Sequence, residues 1–333
     1  MIRRVALLAV TAVSLYLVAP AVLQVLASWP RVRDLDPLLL QFIVIAQGAA
    51  FVCLWAIMRI TLRTRERLPV ATSQLASNAA AKVVPGGGAA GNALQYTMLV
   101  RAGILAPTVA SGLTAATLLT TGIVFALPVL ALPAVLGGTG VDRSLARAAW
   151  AGAAALVLLL AAGAALLLAD APLRVAGRLV ERVLNRVRHR RPASTGLPER
   201  LLQERDLIRE VLSSRWFPAL LATLGRWAFD YASLLLALLA VGARPAPSVV
   251  LLAFCTAQAL SLVPLTPGGL GFVEAGLTGT LVLAGVDSSD AAVAALAYRL
   301  AAYWLPLPLG AAAYFVHRRV YGPPRVAKPA TPG

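Results

Sequence analysis

Residues 264–274 have the sequence PLTPGGLGFVE, a proline- and glycine-rich run that ends in an acid, Glu274, inside an apolar region. Within a membrane, irregular backbone is tolerated only where protein or a water-filled cavity satisfies its polar groups. A charged side chain there is also costly unless it has a partner. This stretch therefore predicts a broken helix and a polar site within a helical membrane protein.

The composition of the whole chain supports a membrane protein. The 333 residues are 59% hydrophobic and 13% charged, with a mean hydropathy of +0.79, whereas about a quarter of the residues of a soluble domain are charged. Several apolar stretches have the roughly 20 residues that a transmembrane helix needs. We predict an all-α polytopic membrane protein, with a single integral membrane domain at 1–320 and a disordered tail at 321–333.

The apolar stretches predict about eight transmembrane helices. They cover residues 5–27, 38–60, 108–136, 148–169, 216–241, 249–263, 267–286 and 291–316. Polar residues and glycines predict broken or re-entrant helices at 70–104 and 264–286. The first stretch is long for a signal peptide, which favours a retained helix. Arginines after the second span predict that this end is cytoplasmic, and both termini are then expected in the cytoplasm of a bacterial inner membrane.

Basic residues give the chain a net charge of +16, and they lie mainly between the apolar spans. This distribution predicts anionic membrane lipids as partners and argues against nucleic acid. Residues 170–215 contain eleven arginines and six acids at helical spacings, which predicts an amphipathic cytoplasmic loop. That loop is either a solvated connection or an interfacial platform for anionic lipid.

A repeat relates residues 85–104 to residues 267–286. Without a gap, PGGGAAGNALQYTMLVRAGI matches PGGLGFVEAGLTGTLVLAGV at eight of twenty positions, and Asn92 aligns with Glu274. We expect a duplicated element in which each Pro-Gly-Gly is followed by a helix N-terminus that suits a phosphate. The alternative is that each Pro-Gly-Gly makes only a tight turn between packed helices.

Ionisable residues within the apolar spans are the main site candidates. Glu274 and Arg299 are expected to pair, directly or through a lipid head group. Arg226 and Asp230 lie one helical turn apart and are able to pair with each other. The complete set of predicted substrate-binding residues is Asn78, Lys82, Asn92, Arg226, Asp230, Pro267, Gly268, Gly269, Glu274, Tyr298 and Arg299.

Other polar and aromatic residues have simpler interpretations. Trp29, Tyr303 and Trp304 are expected to be interface anchors, and His189 and His317 to be solvated. The sequence has no nucleotide fingerprint, catalytic triad or metal-ligand spacing, so we predict no cofactor, no metal site and no catalytic residue. A non-enzymatic role is favoured, although enzymatic activity is left open.

These motifs resemble the lysylphosphatidylglycerol synthase transmembrane, or flippase-domain, family over about residues 5–320. The resemblance is carried by the segments 266–275, 285–286, 298–299 and 303–304 in the second half and by Asn78, 85–87, Asn92 and 101–104 in the first. At Asn92 an acid is expected from the family pattern. The aminoacyl-transferase domain of some members is expected to be absent, because about fifteen residues follow the last span.

The resemblance implies a lipid-handling protein. One hypothesis is an integral membrane translocator, or lipid-binding transporter, for a phospholipid or a polyprenyl-phosphate-linked head group. In it, Arg299 holds the phosphate, and Glu274 pairs with a cationic head group or with Arg299. The alternative is a partner subunit or enzyme in lipid-linked glycan or aminoacyl-lipid assembly, acting with a separate glycosyltransferase or aminoacyl-lipid synthase.

Overall fold

Within the residues that the structure, a computed structural model, describes, every regular element is helical. Those residues are 35–84, 87–127, 129, 143–187, 196–261 and 267–322. The predicted first span at 5–27, Trp29, His189 and residues 264–266 lie outside the described residues, as does most of the predicted tail.

Eleven α-helices are described. They are α1 Pro37–Thr61, α2 Leu68–Val83, α3 Gly87–Arg101, α4 Ala106–Ala126, α5 Arg143–Leu168, α6 Asp170–Val187, α7 Leu197–Ala240, α8 Pro247–Ser261, α9 Phe272–Leu283, α10 Ser288–Arg299 and α11 Pro306–Tyr321. A 3-10 turn at Pro267–Gly269 precedes α9, and a π turn at Leu300–Trp304 joins α10 to α11.

Three of the described helical stretches are long and apolar enough to cross a membrane: α1, α4 and the continuous stretch Ser288–Tyr321 that contains α10 and α11. Helices α8 and α9 are apolar but shorter. The chain is therefore an all-helical polytopic membrane protein, as predicted, while the number of eight crossings stays a prediction. The last predicted span is not one uniform helix, because the π turn interrupts it.

Helix boundaries follow local sequence signals. Helix α1 begins at Pro37, and the Asp36 side chain accepts a hydrogen bond from the Leu38 amide at 2.9 Å. Proline suits a first helical position because its missing N–H would be unsatisfied there, and aspartate satisfies a neighbouring free amide. Asp287 caps α10 in the same way, at 2.9 Å from the Ser289 amide.

The sequence repeat corresponds to two helical hairpins of similar design. Helices α2 and α3 flank the first break of the repeat (residues 84–86) and pack against each other. Helices α8 and α9 flank the second break (residues 262–271) and also pack against each other. Both hairpins end in a glycine with positive φ, Gly103 at +94° and Gly285 at +87°. The next residue's amide donates to the carbonyl five residues back in each case (Ile104 to Leu99, 3.2 Å; Val286 to Leu281, 3.1 Å). These matching helix ends support a duplicated element.

The core lies between α1 and the helices of the second half. Helix α1 packs mainly against α7, and α2 packs against α3 and α11. Phe254 of α8 is fully buried, and three aromatic rings stand edge-on around it with centroids 5.6–6.5 Å away. Those rings belong to Trp227, Tyr231 and Tyr298. The core therefore fixes α7, α8 and α10 around the polar residues that follow.

The arginine-rich segment forms an antiparallel hairpin of α6 with the first part of α7. A Cβ on Gly177 would lie 2.8 Å from Pro198 Cα, so only glycine permits this approach. Arg205 forms an ion pair with Asp170 at 2.5 Å and lowers the pKa of that carboxyl. Non-helical backbone at Arg215 kinks α7, one residue before the predicted start of a span. The segment is helical, as its spacing predicted.

Candidate functional site

A polar cavity of about 190 Å³ lies between α1, α2, α7, α8, α10 and the second break. Apolar side chains and glycine supply part of its wall. Its polar lining residues are Gln47, Asn78, Lys82, Arg226, Asp230, Gln258, Ser261, Tyr298, Arg299 and Tyr303. A cavity within a helix bundle is one of the few places where charged side chains are tolerated in a membrane protein.

Gly268 brings the second break into contact with the end of α2. Its φ of +59° is a left-handed conformation that glycine adopts without strain. A Cβ at this position would lie 2.5 Å from the ring of Tyr303 and 2.9 Å from the backbone oxygen of Lys82. Because Lys82 is near the end of α2, the second break packs at this glycine against the helix that precedes the first Pro-Gly-Gly.

The π turn provides the other half of that contact. Lys82 Nζ donates to the carbonyl oxygens of Ala302 at 2.7 Å and Tyr303 at 3.3 Å. In return, the Tyr303 hydroxyl donates to the Lys82 carbonyl oxygen at 2.9 Å. A π turn disrupts the regular helical hydrogen bonds, and the lysine ammonium compensates some of the affected carbonyls. Tyr303 is thus the residue that joins the end of α2, the second break and the last helical stretch.

Glu274 and Arg299 form the expected direct pair. Arg299 Nε donates to Glu274 Oε1 at 2.7 Å, and Arg299 Nη2 donates to the Gly268 carbonyl oxygen at 3.3 Å. The guanidinium also lies over the ring of Tyr303, 4.5 Å from its centroid. Arg299 is therefore already engaged on several sides. The other carboxylate oxygen, Glu274 Oε2, is buried and has no hydrogen-bond partner within the described chain.

Arg226 and Asp230 do not form the predicted ion pair within the part of the chain that the structure describes. Asp230 Oδ1 instead accepts from Gln47 Nε2 at 2.7 Å and from the Tyr298 hydroxyl at 3.0 Å. Arg226 stacks on the ring of Trp227, 3.8 Å from its centroid. The prediction was wrong because helices α1 and α10 supply Asp230 with closer partners than its own helix does.

The guanidinium of Arg226 consequently keeps unused hydrogen-bonding capacity at the cavity. Its Nη1 atom is buried and has no partner among the described residues. Asn78 Oδ1, another group on the cavity wall, is a buried acceptor that is likewise without a partner there. A buried unsatisfied group costs about 1–3 kcal/mol. A donor and an acceptor left in this state around one cavity indicate a place for a polar ligand.

Most of the predicted site residues come together. Seven line the cavity: Asn78, Lys82, Arg226, Asp230, Gly268, Tyr298 and Arg299. Glu274 is bound to Arg299, and Pro267 and Gly269 flank Gly268 in the 3-10 turn. Asn92 is the exception, since it is exposed and does not line the cavity. The preceding Gly91 packs against α2, where a Cβ would lie 2.7 Å from the Ser77 carbonyl oxygen, so Asn92 lies on another face of α3.

Sequence reasoning missed four polar residues of the cavity wall, Gln47, Gln258, Ser261 and Tyr303. The two glutamines are isolated amides within predicted apolar spans, and that isolation was a usable signal. Gln258 Nε2 donates to the Tyr298 hydroxyl at 3.2 Å, which extends the Asp230 network to α8. Tyr303 was expected to be an interface anchor, but it is 2% exposed.

His317 was also misjudged. It was expected to be solvated because arginines follow it, yet it is buried. Its Nδ1 lies 2.7 Å from Thr72 Oγ1 and its Nε2 lies 3.1 Å from the Met98 carbonyl oxygen. These contacts join α11 to α2 and α3. Among the described residues there is no group of three or more His, Cys, Asp or Glu side chains that could hold a metal ion.

The fold and the cavity define a class: a polytopic helical membrane protein whose charged residues converge where helices are broken. The chain belongs to the family described as the lysylphosphatidylglycerol synthase TM region, whose model matches residues 5–310. The family that the motifs suggested is thereby confirmed.

A curated relative is the UPF0104 membrane protein of Methanothermobacter thermautotrophicus. It is 34% identical over 95 residues, which are 28% of this chain and 27% of that protein. The match therefore spans about a quarter of the relative's length. No solved structure matches the chain.

Proposed function

We propose that this chain is an integral membrane lipid translocator, or lipid-binding transporter, that takes a phosphate-containing head group into the polar cavity. The observation that carries the proposal is the buried Nη1 of Arg226 on the cavity wall, which has no hydrogen-bond partner among the described residues. The acyl chains stay in the surrounding lipid. The membrane is a bacterial inner membrane, and both chain termini are cytoplasmic.

Arg226, more than Arg299, has the chemistry to bind the phosphate. Arg299 already donates to Glu274 and to the Gly268 carbonyl, and Lys82 already donates to the π turn. Arg226 Nη1 has no acceptor within the described part of the chain, and a hydrogen bond to a charged group contributes about 1.5–3 kcal/mol. The sequence-based assignment of the phosphate to Arg299 is therefore revised in this proposal.

The charge around the cavity suits an anion. Counted by formal charge, three cations (Lys82, Arg226 and Arg299) face two carboxylates (Asp230 and Glu274). The excess of one positive charge would be neutralised by a single negative charge. A phosphodiester carries one negative charge, so the head group of a phospholipid, or a sugar linked to a polyprenyl monophosphate, balances the cavity better than a lipid-linked pyrophosphate does.

The size and the acceptors of the site limit what accompanies the phosphate. A cavity of about 190 Å³ is smaller than the roughly 300–1,000 Å³ of pockets that enclose a drug-sized ligand. Asn78 Oδ1 and Glu274 Oε2 are acceptors that lack donors among the described residues. A small group that carries hydroxyl or ammonium hydrogens, such as a glycerol or an amine, would satisfy them. A lipid-linked oligosaccharide would have to remain mostly outside.

The test is leaflet exchange in vesicles that contain the purified protein. Fluorescent phosphatidylglycerol is followed through quenching by a membrane-impermeant reductant. Losing a charge-assisted hydrogen bond of about 1.5–3 kcal/mol should slow exchange by Arg226→Gln by about tenfold or more. Arg244→Gln, which removes an exposed arginine outside the cavity, is the matched control and should exchange at the wild-type rate.

Two outcomes would overturn the proposal. One is that the wild-type protein moves neither phospholipid nor lipid-linked sugar. The other is that Arg226→Gln exchanges lipid as fast as wild type does.

The alternative function is a partner subunit that presents a lipid to a separate enzyme. The family's own description, as the membrane region of a synthase, favours it. This role predicts that the purified chain binds phosphatidylglycerol through Arg226 without exchanging it between leaflets. A binding measurement beside the exchange assay separates the two functions.

A further inference from the structure

Helix α6 presents an apolar stripe that the rest of the described chain leaves uncovered. Val175, Leu179 and Val183 are 51%, 53% and 61% exposed. They follow one another at intervals of four residues, so they lie on one face of the helix. In a loop surrounded by water, such a stripe would expose three apolar side chains to solvent without any compensating contact.

Arginines occupy the neighbouring flank of the same helix. They also recur every fourth residue, at Arg174, Arg178, Arg182 and Arg186, and all four are exposed. The acids of α6, Asp170 and Glu181, are turned towards α7. Asp170 pairs with Arg205 of α7 and also with Arg174 of α6 at 3.2 Å, and Glu181 accepts from the Leu197 amide at 3.2 Å. Arg178, Arg182 and Arg186 form no ion pair with the acids of α6 in the described chain. The exposed part of α6 is therefore apolar on one side and cationic on the other.

The flanking segments place α6 beside the membrane surface. It begins two residues after the apolar helix α5 ends at Leu168. In α7, which packs against α6, the kink at Arg215 is followed by Trp216 and Phe217. Both aromatic side chains are exposed, and their rings contact each other edge-on. Exposed aromatic residues of this kind concentrate at the membrane–water interface.

We propose that α6 is an interfacial helix that binds the surface of an anionic leaflet. The stripe of Val175, Leu179 and Val183 enters the boundary between head groups and acyl chains, and the arginine flank contacts lipid phosphates. A helix with an apolar face and an arginine-rich face binds in this way, with the apolar face about 5–10 Å deep. The charge selects an anionic lipid surface over an uncharged protein partner. This site is separate from the cavity, and it holds whether or not the cavity takes a head group.

The test uses spin labels on the full chain in vesicles. A single cysteine replaces Leu179, or Val183 in a second variant, in a Cys53→Ala/Cys255→Ala background. The control site is Asn185, whose side chain lines the groove between α6 and α7. Collisions with lipid-soluble oxygen and with a water-soluble nickel complex measure depth. The vesicles are pure phosphatidylcholine or contain about a quarter phosphatidylglycerol.

We expect labels at 179 and 183 to lie about 5–10 Å deep in the anionic vesicles and the label at 185 to contact water. Replacing Arg178 and Arg182 by Glu should lift the first two labels towards water. Water-accessible labels at 179 and 183 in both kinds of vesicle would overturn the proposal. Spin–spin broadening would identify a second copy as the occupant instead, and equal depth in both vesicle types would refute the role of anionic lipid.

Discussion

Replacing Gly268 by Ala tests whether the contact of the second break with Tyr303 and the end of α2 stabilises the fold. The new Cβ would lie 2.5 Å from Tyr303 Cε2, 2.7 Å from the Tyr303 hydroxyl oxygen and 2.9 Å from the Lys82 carbonyl oxygen. Real Cβ atoms essentially never approach other heavy atoms below 3.0 Å. The tyrosine must therefore move, and its hydrogen bond to Lys82 at 2.9 Å moves with it.

Two costs add in this substitution. A non-glycine residue in the left-handed region costs about 1–2 kcal/mol, and inserting a methyl group into a filled space costs about 1–3 kcal/mol. We therefore expect Gly268→Ala to destabilise the protein by about 2–5 kcal/mol. That loss should lower the thermal midpoint by several degrees, since each kcal/mol is worth about 2–4 °C in a protein of moderate size.

Two other glycines separate the costs. Gly285 has a φ of +87°, and a methyl group added there would meet open space, so Gly285→Ala should show the backbone cost alone. Gly279 is helical and also has open space, so Gly279→Ala should be neutral or stabilising by about 0.5–1 kcal/mol. Unfolding can be followed in detergent by the reaction of the buried Cys255 thiol with a fluorogenic dye, in a Cys53→Ala background.

The decisive comparison repeats Gly268→Ala in a Tyr303→Leu background. If the tyrosine ring causes the packing cost, the two substitutions must be energetically coupled, and the glycine change should then cost about as much as Gly285→Ala. The reasoning is refuted if Gly268→Ala costs no more than Gly285→Ala in the wild-type background. It is refuted also if the cost is the same with and without Tyr303.

Three further predictions concern the charges and the repeat. Glu274→Gln should destabilise the protein by about 3–5 kcal/mol, because it leaves Arg299 buried without its partner. The double variant Glu274→Gln/Arg299→Gln should recover part of that loss in the same thermal assay. Additive effects of the two substitutions would contradict the pairing. Lys82→Met should cost about 1–3 kcal/mol by exposing the π-turn carbonyls, and an unchanged midpoint would exclude that role. Asn92→Asp should leave the rate of lipid exchange within twofold of wild type, because Asn92 is exposed outside the cavity. A tenfold loss of exchange would instead place Asn92 in the site.

The sequence was informative where a membrane makes a residue costly. Both breaks and the Glu274–Arg299 pair could be predicted, because irregular backbone and isolated charges are expensive in hydrocarbon. The free-energy cost of irregular backbone or of an isolated charge in hydrocarbon does not depend on which helices lie beside it. The kink at Arg215 was not predicted, but it lies one residue before the predicted start of a span at 216, where a charged segment meets an apolar one.

The remaining features depend on contacts between distant segments. The π turn at Leu300–Trp304 has the sequence LAAYW, which contains no proline or glycine to mark it. Its carbonyls are satisfied by Lys82, which is 220 residues away from Ala302 in the chain. The partner of Asp230 likewise depends on the register of α1 against α7, which brings in Gln47. A single sequence does not specify that register, so the predicted pairing with Arg226 was wrong.

The two hairpins illustrate how a repeated scaffold can carry an unequal site. At equivalent positions of the repeat, Gln95 in α3 and Leu277 in α9 are both buried, so the two helices present the same face to their neighbours. Gln95 donates to Gln74 at 2.7 Å and accepts from Ser77 at 3.3 Å. The contact between α2 and α3 in the first hairpin is therefore polar but uncharged at this point.

The second hairpin is apolar at that position and carries its charge one turn earlier, at Glu274, beside the break. Gly103 and Gly285 fix the exit of each hairpin in the same geometry, which accounts for the shared part of the repeat. The two copies differ in charge at the aligned positions 92 and 274 because their surroundings differ. Glu274 pairs with Arg299, whereas the aligned Asn92 is exposed. The common helix geometry and the charge therefore depend on different residues of the same twenty-residue element.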